Sequence, residues 1–404
     1  MDKHCGVSAD ERLAAMAWTR LAEGEDVYAT ALVESFGYAK ALQWLYDAQA
    51  GATVDKRLRT SVARWCGRLD TEAFERDVER SAKLGGFLMP GDPLWPENLM
   101  DLGETRPLGL WYHGNPEVLK RLSLAIVGSR DATDYGLRIA RDLAFELSEQ
   151  GVVIVSGGAF GIDTAAHRGA LAANGQTVVV LAGGVDRPYP RQNASLFGEV
   201  LAAGGVIVSE SPPGAQPLRH RFLARNRIIA GLSVATVVAE APVRSGAIST
   251  ARHALGINRE VGAVPGPVTS PRSAGCHMLM RSGAICVTSV KEVCELMGFV
   301  TEGESHPVAR VNEQLTLGLD TEEIGFGEAR RVVTASVDDP LAGHPLAVRV
   351  RDALPVRRAC AVSRIAVTAG VSVPEALKGL GMLEMKGIAE QVGDGWRLAS
   401  AARR

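Results

Sequence analysis

Apolar positions set the first boundaries along this chain. In residues 1–83 they recur three and four apart, as in Leu13, Met16, Ala17 and Leu21 and again in Ala41, Leu42, Leu45 and Tyr46. That period buries one face of an α-helix. It predicts a small N-terminal helical domain, with Glu23-Gly24-Glu25-Asp26 as a loop between helices. The period is lost from Leu84 to Asn115, where Gly91-Asp92-Pro93-Leu94-Trp95-Pro96-Glu97-Asn98-Leu99 reads as a loop-rich connector. Its prolines favour turns, and Trp95 and Trp111 suggest packing along a larger domain.

Within residues 84–298 the pattern changes again. The runs Leu124–Val127, Val152–Val155, Val178–Leu181, Val206–Val208, Ala235–Ala239, Val261–Val264 and Ala284–Val287 are continuously apolar. Amphipathic stretches such as Tyr135–Glu149, Ile162–Ala173 and Ser249–Leu255 lie between them. Strands without polar alternation are buried on both faces, which is the habit of a parallel sheet covered by helices. The pattern therefore predicts a doubly wound α/β domain. Residues 299–343 are acidic and aperiodic, the composition of a linker. Residues 344–404 regain order, with Leu346–Leu354, Val362–Ala369 and Pro374–Lys386 as helices and a tight hairpin around Gly393-Asp394-Gly395. Three helices and a hairpin are the plan of a winged helix, which contacts DNA or protein. Only Arg364, Lys378 and Lys386 supply charge near the expected recognition helix, so protein contact or weak DNA contact is expected.

Composition narrows the chemistry. Of 404 residues, 46% are hydrophobic and 22% charged, enough apolar surface for a sizeable core. Lysine plus arginine total 44 against 46 acids, a net charge of −2, so a polyanion needs a local basic patch. No apolar run approaches the ~18 residues of a membrane helix, and Met1 to Asp26 lacks a signal-peptide layout. A cytoplasmic protein without membrane contact is expected. The six cysteines form no C-x-x-C pair and read as idle thiols, not zinc ligands. No lysine occurs between Lys120 and Lys291, which excludes a Walker A loop or a pyridoxal Schiff base there. G-x-S-x-G is also absent.

Ligands of a parallel sheet sit beyond the carboxyl ends of its strands. The expected ends carry Gly128-Ser129-Arg130, Ser156-Gly157-Gly158-Ala159-Phe160-Gly161-Ile162-Asp163, Gly183-Gly184-Val185-Asp186, Ser209-Glu210-Ser211, and Glu240 with Ser245-Gly246 beyond it. Glycines there admit a ligand to the backbone, and helix N-termini offer N–H groups to phosphate. Arg219, His220, Arg221, Arg225 and Arg227 crowd around Phe222 and Asn226, with Arg130, Arg187 and Arg191 at strand ends. Phe160, Tyr189 and Phe222 offer stacking faces. Phosphate grip plus stacking suits single-stranded nucleic acid. The plain alternative is a solvated basic helix balanced by the acidic linker. Gly158-x-x-Gly161 with Asp186 about 25 residues on imitates a dinucleotide fingerprint but lacks its first glycine. Asp163 and His167, four apart, suit an acid–base or metal pair. A helix-capping role for Asp163 and a local hydrogen bond for His167 fit better.

Ala125-Ile126-Val127-Gly128-Ser129-Arg130, Ser156-Gly157-Gly158-Ala159-x-Gly161-Ile162-Asp163-x-x-Ala166-His167, Tyr189-Pro190, Arg225-Asn226-Arg227-Ile228-Ile229, Ser245-Gly246 and Val264-Pro265-Gly266 occur in that order. Together they resemble the DNA-processing protein A family (DprA, also called Smf). The likeness is strong over residues 85–298 and looser at the C-terminal module. It implies an extended Rossmann-like domain that binds single-stranded DNA, forms homodimers, protects incoming strands in natural transformation and helps load the RecA recombinase. No catalysis or cofactor is implied. By position, Arg130 would contact the DNA backbone, and Gly157, Gly158 and Gly161 would donate N–H groups. Arg191 follows Tyr189-Pro190 where relatives often carry a basic residue, and Arg225 and Arg227 would line the pocket. The expected DNA-binding set is Gly128, Ser129, Arg130, Ser156, Gly157, Gly158, Phe160, Gly161, Asp163, Arg191, Phe222, Arg225, Asn226, Arg227, Ser245 and Gly246. Leu223 departs from the family pattern, standing where proline is usual. The competing expectation is a nucleotide-binding enzyme using the same loops. A third is an adaptor working through its winged helix.

Overall fold

The computed structural model describes residues 9–298, 344–354, 359–393 and 395–399. The acidic segment 299–343 lies outside them. The chain divides into two compact units, Met1–Val308 and Ala309–Arg404.

Five helices open the first unit: α1 (Ala9–Leu21), α2 (Val27–Phe36), α3 (Tyr38–Gln49), α4 (Arg59–Cys66) and α5 (Thr71–Leu84). Asp26 and Asp70 cap α2 and α5 by accepting from Ala29 N and Ala73 N, the usual way to satisfy a first-turn N–H. The stripe read from Leu13 to Leu21 is amphipathic in practice. Ala14, Trp18 and Leu21 are buried, while Leu13 stays 45% exposed.

Next come β1 (Gly85–Leu88), β2 (Leu110–Gly114), β3 (Ser123–Val127), α6 (Asp134–Glu149), β4 (Val153–Ser156), α7 (Ile162–Ala172), β5 (Thr177–Val180), α8 (Ala194–Ala202) and β6 (Val206–Ser209). They are followed by α9 (Arg219–Leu232), β7 (Ala235–Val238), α10 (Gly246–Gly256), β8 (Glu260–Ala263), α11 (Ala274–Arg281), β9 (Ile285–Cys286) and α12 (Val290–Leu296). The nine strands form one sheet in the order β1-β2-β6-β5-β4-β3-β7-β8-β9. From β6 to β9 every pairing is parallel. The segment read as a loop-rich connector contributes two antiparallel strands at one side of the sheet, β1 at its edge, with Trp111 opposite Ser209 and Phe87 opposite Trp111. Short runs broken by glycine and proline hide such strands, because their pairing is with residues far away in sequence.

Strand alternation sorts the core into two layers. Ala125, Val127, Val153 and Val155 face Ile228, Ile229, Ala247 and Ile248 of α9 and α10. Leu124, Ile126 and Ile154 face Ala140, Leu143 and Ala166 of α6 and α7. The doubly wound α/β expectation holds. The N-terminal helices do not stand apart: Trp18, Leu45 and Trp65 share a third cluster with Trp111, Val179 and Phe197. Trp111 Nε1 also donates to Thr19 Oγ1 at 3.0 Å.

The second unit contains α13 (Pro345–Asp352), α14 (Val362–Ala369) and α15 (Val373–Met385), then antiparallel β10 (Ala389–Val392) and β11 (Gly395–Leu398). Ala347, Val350, Ile365, Leu380, Leu383 and Trp396 form its core. Ser372 and Glu375 make a reciprocal capping box at the start of α15. Arg364, Lys378 and Lys386 are all exposed.

Candidate functional site

The chain leaves β3 and adds β4, β5 and β6 on one side, then returns to lay β7 on the other. Loops after β3 and β7 therefore diverge, and a crevice opens at this switch point. It is occupied by a cavity of about 690 Å3. Gly128, Ser129 and Arg130 line it from the end of β3, Ala159 and Asp163 from the β4–α7 turn, and Arg219, Phe222, Arg225 and Asn226 from α9. Arg244, Ser245, Gly246 and Thr250 close the side after β7, and Tyr189 reaches in from the β5–α8 segment.

Backbone contacts lock these loops together. Ser129 N donates to Glu240 O (2.7 Å), and Ile162 N donates to Ser129 O (3.1 Å). Glu240 accepts from Thr133 N at 2.7 Å and from Thr133 Oγ1 at 2.8 Å, and Thr133 in turn caps α6. Glu240 is thus a buried brace and not a ligand group. Gly161 has φ +76°, and a β-carbon there would lie 2.2 Å from the Ser129 carbonyl oxygen and 2.8 Å from that of Arg130. A side chain there is barred by conformation and by space alike. Gly157 is needed for another reason: a β-carbon would lie 2.5 Å from Asp163 Oδ2 and 2.7–2.8 Å from the terminal nitrogens of Arg225.

Charge inside the cavity is layered. Asp163 and Arg225 are buried at its floor. Burial pushes the Asp163 carboxyl up, opposed by the Arg225 charge and the Ala159 N–H. Burial likewise pushes Arg225 down, to about 10, opposed by Asp163, which leaves it a cation at neutral pH. Arg225 donates to the Val180 carbonyl and, at 3.4 Å, to Asn226 Oδ1. Asn226 Nδ2 donates to Gly246 O at 3.2 Å, and Ser245 Oγ caps α10. Above this floor the Arg130 guanidinium sits 5.1 Å from the Phe222 ring centroid, within cation–π range. Phe222 leans on Tyr189 with centroids 5.5 Å apart. Arg130, Arg219 and Arg244 are exposed, and none makes an ion pair among the described residues. The one acid on the rim, Asp131, is tied to Arg272.

The model of the DNA recombination-mediator protein A family matches residues 86–298, just over half of the chain. A putative DNA processing protein DprA of Mycobacterium tuberculosis is 38% identical over 408 aligned residues, covering 96% of this chain and 95% of the relative. The chain belongs to the DNA recombination-mediator protein A family. Protein Smf of Escherichia coli is 43% identical over 213 residues, 52% of this chain and 57% of that protein. The crystal structure of DNA processing protein A from Streptococcus pneumoniae aligns with a TM-score of 0.58 and 31% identity, over 71% of this chain and 98% of the other.

The family's motif residues divide into three groups here. Gly128, Ser129, Arg130, Asp163, Phe222, Arg225, Asn226, Ser245 and Gly246 meet around one cavity. Ser156, Gly157, Gly158 and Gly161 lie behind its wall. Ser156 Oγ donates to Ile126 O at 2.7 Å, and Gly158 O accepts from Asn193 Nδ2 at 2.9 Å. Phe160 is 44% exposed and Arg191 is exposed, and neither lines the cavity. Arg227 departs from expectation. Fully buried, it pairs with Glu210 (2.7 and 3.0 Å) and donates to the Thr105 carbonyl at 2.6 Å. It braces the sheet against the segment before β2 and does not line the pocket. Arg221 is claimed by Glu23 through two 2.9 Å bonds, so it shares no open groove with Arg225.

Sequence reasoning passed over Arg244, though its place just before Ser245-Gly246 was the available signal. Asn193, which ties the β4–α7 turn down, carried none. His167 is fully buried with Nδ1 2.7 Å from Thr177 Oγ1, and burial depresses it to about 4, so it is neutral and local. Among the described residues no three His, Cys, Asp or Glu side chains are placed to hold a metal, and no helix is long and apolar enough to cross a membrane.

Proposed function

We propose that the cavity binds single-stranded DNA, with phosphates on Arg130, Arg219 and Arg244. The observation that carries this reading is three guanidiniums without an ion pair among the described residues, set around the Phe222–Tyr189 ring pair in one open cavity. Guanidinium forks suit phosphate, and adjoining ring faces suit unstacked bases. We further propose the family role for the whole protein: a non-catalytic cytoplasmic homodimer that protects incoming strands and promotes RecA loading. In that scheme residues 344–404 act as a winged-helix module for a protein or weak DNA contact, residues 299–343 as an acidic linker, and residues 1–83 as a helical domain whose partner is unassigned.

The test is fluorescence anisotropy with single- and double-stranded oligonucleotides across a salt series. Tighter single-strand binding, with a log–log salt slope that flattens in Arg130→Ala and Arg244→Ala, is the expected result. AMP or NAD retained on purification, with no response to oligo-dT, would instead establish a nucleotide-binding enzyme. Mixing with RecA on coated single strands tests loading separately.

A further inference from the structure

Beyond Arg130 the basic surface continues. A groove of about 560 Å3 opens between α6 and α7 and shares Arg130 and Asp131 with the cavity, so the two are contiguous. Arg138 and Arg141 enter it from one face of α6, three residues apart, and Arg168 enters from α7. The helices can approach because Gly169 packs against the Arg141 carbonyl, where a β-carbon would collide. Arg138 and Arg168 are exposed without an ion pair among the described residues, and Arg141 contacts only its neighbour Asp142, at 3.4 Å. The opposing acids are weak competitors. Asp131 is tied to Arg272, and Asp134 lies in the first turn of α6, where helix N–H groups offset its charge. No aromatic residue lines this groove. Its chemistry is therefore phosphate grip without base stacking.

The other basic exit is less able. A cleft of about 600 Å3 on the far side of the α9 N-terminus holds Arg20, Arg68, Arg76, Arg80 and Arg221. Arg20 is held by Asp77, Arg68 and Arg221 by Glu23, and Arg76 by Glu72. Of these five, only Arg80 has no ion pair among the described residues.

We infer that the α6–α7 groove is a second, sequence-indifferent subsite that carries the phosphates of the same single strand where it leaves the cavity past Arg130. This rests on the cavity reading above. The test compares an oligo-dT of about 6 nucleotides with one of about 16, within the usual range of single-strand sites, on wild-type protein, Arg138→Ala/Arg168→Ala and Arg80→Ala. The wild type should bind the longer strand more tightly. The double variant should lose that gain, with a salt slope on the long strand lower by about 0.7 per contact. Its binding of the short strand should stay unchanged, which also reports an intact fold. Arg80→Ala should match wild type. A length gain that survives the double variant, or short-strand binding that falls with it, overturns the groove and leaves the cavity standing. A wild type that binds neither strand overturns both.

Discussion

The arginines of helix α9 share a side-chain type and do opposite things. Arg219 stands beside Phe222 over the cavity with no ion pair among the described residues. At Arg221 and Arg227 the guanidiniums turn the other way, into Glu23 and Glu210. Net charge along a segment therefore says little about available charge, because a carboxylate in reach converts a binding group into a brace. Arg221 reaches the loop after α1, and Arg227 the end of β6 and the segment before β2. The cavity side faces acids that are themselves spoken for.

The comparison breaks most sharply at Glu210. Glu210→Ala should leave Arg227 buried and unpaired, costing about 3–5 kcal/mol in urea unfolding, while folded protein keeps its affinity for oligo-dT. A weakened affinity with unchanged stability would reverse the roles assigned to these arginines. Gly157→Ala should come next. Pushing Asp163 and Arg225 apart is overpacking at a buried site, about 1–3 kcal/mol, and this variant should lose binding as well as stability. Phe222→Ala removes the stacking face and the cation–π partner of Arg130. A loss of about 1–3 kcal/mol in single-strand affinity is expected, with stability and the salt slope nearly unchanged.

The smallest effect concerns acid. Burial pushes Glu23 up, but hydrogen bonds and charge from Arg221, with help from Arg68 and His220, bring it down to about 2 from an ordinary 4.5. Its contribution is present above pH 4.5 and fades as pH falls towards 2. Glu23→Gln should therefore flatten the loss of stability across that window, read by thermal melts in a pH series. Because Glu23 faces solvent in part, the change should be modest.

The parallel strands were legible because burial on both faces leaves no polar residue to break the runs, as in Val178–Leu181. Gly85–Leu88 and Leu110–Gly114 were not, since they pair with β6 nearly a hundred residues away in sequence or with each other across four prolines. At the site the strand-end loops after β3, β4 and β7 were readable from their glycines and small polar residues. What the residues alone did not disclose was orientation. Arg221 and Arg225 are one helical turn apart, yet one meets Glu23, 198 positions away, and the other passes under the ends of the strands. Long-range partners decide such cases, and no local period encodes them.

A cavity whose every basic group is a guanidinium has a chemical signature of its own. Arg130, Arg219 and Arg244 carry planar guanidiniums and no primary amine, so acylating reagents that consume such amines find no target on that rim. Dicarbonyl reagents do. Protection from them by a bound oligonucleotide would map the occupied surface residue by residue, without altering the protein's sequence.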